Sequence, residues 1–76
     1  MKILVLDTET TGVDPAVDEI CEIGMALYEY DTYSNEAELL QEFDSLIEPS
    51  IPIPAEASAV NHITNAMVKG KPKIDD

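Results

Sequence analysis

Leu6-Asp7-Thr8-Glu9-Thr10-Thr11-Gly12 is the stretch on which the reading of this chain turns. It closes an apolar run, Ile3-Leu4-Val5-Leu6, of the kind a strand covered on both faces carries. Lys2 to Glu9 therefore reads as a strand, and its last residues are acidic. Asp7 and Glu9 are two apart, so on a strand their side chains share a face. Their Cα atoms would lie roughly 6 to 7 Å apart. Carboxylates at that spacing can share a pair of divalent ions about 3.5 to 4 Å apart. Hard ions such as Mg²⁺ prefer such oxygen ligands. The Thr-Thr-Gly that follows predicts a sharp turn, with Gly12 free to take a positive φ. An arbitrary Asp-x-Glu is usually a solvated acidic pair. Here the apolar strand before it and the turn after it set it apart.

Working outward, Thr10 to Asp18 reads as a loop, because Gly12, Asp14 and Pro15 interrupt regular structure. Glu19 to Tyr30 reads as a second strand, with Ile23, Met25 and Leu27 on one face and Glu22, Gly24, Ala26 and Tyr28 on the other. Asp31 to Asn35 supplies turn residues. Glu36 to Ile47 alternates with period two, placing Ala37, Leu39, Phe43 and Ile47 on one face and Glu36, Glu38, Glu42 and Asp44 on the other. Its Glu, Ala, Leu and Gln content also allows a short helix over Asn35 to Phe43. Pro49, Pro52 and Pro54 exclude regular structure until Pro54 opens a short helix to Val60. A second short helix is capped by Thr64, ended by Gly70 and barred from continuing by Pro72. The expected fold is α/β: an N-terminal three-stranded meander followed by short helices.

The bulk numbers bound the function. The chain has 76 residues, of which 45% are apolar, one domain or less with a marginal core. No apolar run is long enough to span a membrane, and Asp7 ends the N-terminal one too early for a signal peptide. A soluble, cytoplasmic protein is expected. The lone cysteine, Cys21, has no internal disulfide partner and reads as a small apolar side chain. Sixteen acidic residues against four lysines give a net charge of −12. That balance argues against gripping phosphates directly. It fits carboxylates that hold cations, which reverse the local field, as well as a merely solubilising surface.

Asp7-Thr8-Glu9-Thr10-Thr11-Gly12 resembles the first acidic motif of the DnaQ-like (DEDD) 3′–5′ exonucleases. A second stretch, Leu46-Ile47-Glu48-Pro49 through Ile53-Pro54 and then Ala57 to Val68, is similar to the region around that family's Ile-Thr motif. The combination looks nearest to the exonuclease X branch, and it covers nearly the whole chain. The resemblance implies a ribonuclease H-like fold with a two-metal site for Mg²⁺ or Mn²⁺. Asp7 would bind both ions, and Glu9 would bind one and help place the attacking water. The backbone around Thr8 and Thr10 would hold the 3′-terminal nucleotide. Asn61, His62 and Ile63 would lie beside its pocket. The implied reaction is in-line hydrolysis of the terminal phosphodiester to a nucleoside monophosphate. The implied partner is a nucleic-acid 3′ end, single-stranded DNA ahead of RNA, and no membrane.

Two departures from the family pattern bear on this. The family usually has His where this chain has Asn61, and His62 follows it; a surface loop histidine is the plain reading of His62. The family also needs two further aspartates and a general base, His or Tyr, from later motifs. Asp75 and Asp76 fall too early to stand in. The chain is therefore expected to be the truncated N-terminal part of one exonuclease domain, over residues 1–76, inactive alone. A non-catalytic interaction module that self-associates through exposed sheet edges is the first alternative. A haloacid-dehalogenase-like phosphatase, with Asp7 as nucleophile, is the second; Glu9 and the Ser50 to Thr64 region speak against it. Tyr28, Tyr30 and Tyr33 read as packing residues, and Lys69, Lys71 and Lys73 as solvated.

Overall fold

The computed structural model describes residues 1–74. Asp75 and Asp76 lie outside the described residues. Three strands form one antiparallel sheet in the order β1-β2-β3: β1 is Lys2–Thr10, β2 is Ile20–Asp31 and β3 is Glu36–Leu46. Helix α1 is Ala55–Asn61 and α2 is Asn65–Val68. The meander and the two short helices stand where the sequence puts them. The segment from Asn35 to Phe43 is a turn residue followed by strand; Asn35, at φ 59°, makes the turn.

Two register breaks shape the sheet. On β2, Glu22 pairs with Glu9 but Ile20 pairs with Thr10, so Cys21 is the extra residue, and it is fully buried. On β3, Gln41 pairs with Leu27 but Leu39 pairs with Tyr28, so Leu40 is extra. A bulge residue exchanges the two faces beyond it. Ala37 and Leu39 therefore share a face with Tyr30 and Tyr28, while Phe43 shares the opposite one with Met25. The single apolar face expected over Ala37, Leu39, Phe43 and Ile47 is split at Leu40.

The packed core sits at one end of the sheet. Cys21, Ile53, Ile63 and Val68 form it, with Leu46 and Ala57 against it. The proline-rich segment enters this core through Ile53, and Asn65 holds it there. Ile53 N–H donates to Asn65 Oδ1 at 2.8 Å, and Asn65 Nδ2 donates to Ile53 O at 3.1 Å. Pro54 caps α1 at φ −66°, one residue before the helix. Thr64 caps α2, its hydroxyl accepting from Met67 N–H at 3.3 Å.

The other end of the sheet is bare. Leu4, Val5, Leu6 and Phe43 are 63%, 49%, 62% and 51% exposed. The strand expected to be covered on both faces is here a sheet edge. The radius of gyration, 15.4 Å, exceeds the roughly 11 Å of a compact chain this long. Tyr28 and Tyr30 are half-buried on β2, as expected of packing residues, and Tyr30 donates its hydroxyl to Asn35 Oδ1 at 2.7 Å, whereas Tyr33 stands almost fully in solvent. No described helix is long and apolar enough to cross a membrane.

Candidate metal and nucleotide site

Strand β1 carries the acidic pair into the register of the sheet. Asp7 lies opposite Gly24 and Glu9 opposite Glu22, which puts both carboxylates on one sheet face, as the two-residue spacing requires. On the far side of β2, Gly24 pairs with Asp44. Asp7, Glu9, Glu22 and Asp44 thus share one face. The sequence gives no sign that Glu22 and Asp44 neighbour the acidic pair, because the cross-strand register that joins them leaves no signal in either strand alone. The Glu22 carboxyl is held above the ordinary glutamate value by its hydrogen bond with Asp44, then by burial and by the charges of Asp44, Glu9 and Asp7. Such crowding of like charge favours a proton or a cation.

The turn after the strand is built around Thr11, the one buried polar residue among those described. Thr11 N–H donates to Glu19 O at 2.9 Å. Its hydroxyl donates to Asp18 Oδ1 at 2.8 Å and accepts from Glu19 N–H at 3.0 Å. Asp18 Oδ2 accepts in turn from Asp14 N–H at 2.9 Å. The loop from Thr10 to Asp18 is thereby closed on a single carboxylate. Gly12 has a place in this closure that differs from the one expected. Positive φ among the described residues falls at Asn35, His62 and Gly70. Gly12 is needed for space instead: a Cβ there would collide with the Asp18 carboxylate.

A cavity of about 590 Å³ opens between this turn and α1, with Thr8, Glu9, Thr10, Gly12, Val60 and Asn61 in its lining. The structure thus brings Thr8, Glu9, Thr10 and Asn61 to one cleft. Asp7 lies outside that lining, exposed on the open sheet face two residues earlier on the same strand. His62 is exposed in the left-handed C-cap of α1, at φ 63°. Ile63 is 3% exposed and belongs to the core. Asn61 spends its amide on the backbone: Nδ2 donates to Thr10 O at 3.2 Å, and Oδ1 accepts from Ile63 N–H at 2.9 Å.

The donor set suits a hard cation. Asp7 and Glu9 offer carboxylate oxygens from one rigid strand, and no basic side chain lines the cleft. Among the described residues no group of three or more His, Cys, Asp or Glu side chains converges as a full metal cage.

The exonuclease family model named RNase_T matches residues 4–76. The PolC-type DNA polymerase III of Thermotoga petrophila is 38% identical over 73 residues, which are 96% of this chain and 5% of that protein. Exodeoxyribonuclease 10 of Escherichia coli K12 is 31% identical over 72 residues, 95% of this chain and 29% of that one. A solved structure of exonuclease X in complex with 5′-overhanging duplex DNA superimposes with a TM-score of 0.72 at 33% identity, over 96% of this chain and 39% of that chain. The chain therefore spans well under half the length of these relatives.

Proposed function

This chain belongs to the DnaQ-like RNase_T exonuclease family, and from that premise we propose that it carries the first half of a metal-dependent 3′–5′ exonuclease site. The observation that carries the reading is the placement of Asp7 and Glu9 on one face of β1, with Glu9 lining the cleft beside Thr8, Thr10 and Asn61. Asp7 is assigned as the ligand shared by two ions and Glu9 as the ligand of one. Mg²⁺ or Mn²⁺ bound there would supply an activated water and charge neutralisation at the scissile phosphate. The chain's own part is to hold the two carboxylates rigidly, orient the 3′-terminal nucleotide against the Thr8–Thr10 backbone, and wall the cleft with α1. The preferred substrate is the 3′ end of single-stranded DNA. Relatives named for DNA polymerase III and exodeoxyribonuclease, and a neighbour bound to DNA, support DNA over RNA.

The net charge of −12 makes the cations indispensable on this reading, since a polyanion would otherwise meet only repulsion. Two strand carboxylates are too few for a complete two-metal site. The 76-residue chain is accordingly expected to show only background nuclease activity with Mg²⁺ or Mn²⁺. Calorimetric titration with Mn²⁺ tests the site itself. Weak, millimolar binding is expected, and Asp7→Ala should abolish it. Binding indifferent to Asp7, or none at all, would remove the assignment.

The exposed Leu4, Leu6 and Phe43 support a second reading, in which this face mediates self-association. Sedimentation that shows concentration-dependent oligomers without metal binding would favour it over the first.

A further inference from the structure

We infer that Asn61 is a positioning residue, setting the distance between the acidic end of β1 and the helical wall of the cleft, and that it makes no specificity contact with a ligand. The inference rests on the cleft being a nucleotide site, but its geometry is read without any ligand. Asn61 lines the cleft, yet its amide is engaged at both ends by backbone. The Nδ2 bond reaches across 51 positions of sequence to Thr10 O, the carbonyl next to Glu9. The Oδ1 bond closes the turn from α1 to α2 through Ile63 N–H. Ile63 is itself buried, so that turn is anchored in the core. One side chain therefore couples core, helix end and strand end. A second bond, from Ser58 Oγ to Ile63 O at 2.6 Å, braces the same turn but does not touch β1.

That difference supplies the control. Asn61→Ala removes the tie to Thr10, whereas Ser58→Ala loosens only the turn. In the full chain, the Thr10 carbonyl chemical shift should move in Asn61→Ala and hold in Ser58→Ala. Thymidine and adenosine deoxymonophosphates, titrated with Mg²⁺ present, should both lose about tenfold in affinity on Asn61→Ala, the worth of one hydrogen bond. Ser58→Ala should leave both affinities within twofold. A loss confined to one base would show a direct contact and overturn the inference. Equal losses in the two variants would assign the effect to the turn and overturn it as well. If neither nucleotide binds the unsubstituted chain, the nucleotide reading fails, and the positioning role still stands or falls on the Thr10 shift. Should Asn61→Ala not fold, hydrogen exchange of the Asn61 side-chain amide in the unsubstituted chain decides: slow exchange sustains the tie, and exchange at the solvent rate removes it.

Discussion

The two ends of the sheet carry similar side chains and have opposite environments. At the helical end, Cys21, Ile53, Ile63 and Val68 are nearly or fully enclosed. At the other end, Leu4, Leu6 and Phe43 are each more than half exposed. Apolar composition alone does not separate them. What separates them is whether a neighbouring element lies over the face. The proline-rich segment and the two helices fold back over one end of the sheet only, so burial and polar closure concentrate there. Glu9 and the turn after it sit at that packed end, while Asp7, two residues earlier, stands exposed on the open face.

The strongest way to break this comparison is to truncate an apolar side chain at each end, Ile63 to alanine and Leu6 to serine. Ile63→Ala should cost about 2 to 4 kcal/mol, because a buried isoleucine leaves a cavity as well as losing its burial. Leu6→Ser, at a position 62% exposed, should change stability by no more than about 0.5 kcal/mol. Urea unfolding of the two variants measures both. Comparable losses would mean that β1 is covered in solution, by another copy of the chain or by a partner, and that the two ends are not different after all.

A second test stays within the packed end. Gly12→Ala should cost about 1 to 3 kcal/mol, because a Cβ at that position would crowd an Asp18 carboxylate that Thr11 and Asp14 hold in place. The cost should shrink to a few tenths in an Asp18→Ala background, where the space is free. A double-mutant cycle reads this coupling directly. Additive losses would return Gly12 to the conformational role its sequence context suggests.

That outcome bears on how far the sequence could be read. The strand ending in Asp7 and Glu9, the meander and the two capped helices follow from period, turn residues and prolines, which are local signals. The shared face of Asp7 and Glu9 is equally local, a matter of two-residue spacing. The bulges at Cys21 and Leu40 are not local: each is a mismatch between two strands, visible only once they are paired. So the grouping of Glu22 and Asp44 with the acidic pair, and the division of the apolar residues of β3 between two faces, stayed hidden. Gly12 was legible as a required glycine but for the wrong cause, because the Asp18 carboxylate comes from the far side of the loop. The apolar run of β1 reads as a buried strand and is exposed here, since periodicity reports the burial a segment suits and not the elements that supply it.

The smallest expected effect is at the seam where the segment after β3 joins the base of the loop. Glu19 receives the Ser50 hydroxyl and, at 2.9 Å, the Ser50 N–H. These two bonds, the hydroxyl one first, hold the Glu19 carboxyl below its ordinary value, with Lys73 adding a weaker attraction. A carboxyl whose pKa falls on folding stabilises the folded state above its unfolded pKa, and that stability is lost as pH falls through the lowered value. Ser50→Ala should therefore be slightly less stable than the unsubstituted chain at neutral pH. The gap should close as the solution is acidified below the carboxylate range. Thermal melts at pH 7 and at acid pH measure it. A gap that persists or widens in acid would show that the Ser50 hydroxyl supports this seam by packing, and that the packed end draws less on its charged bonds than on the apolar side chains beneath them.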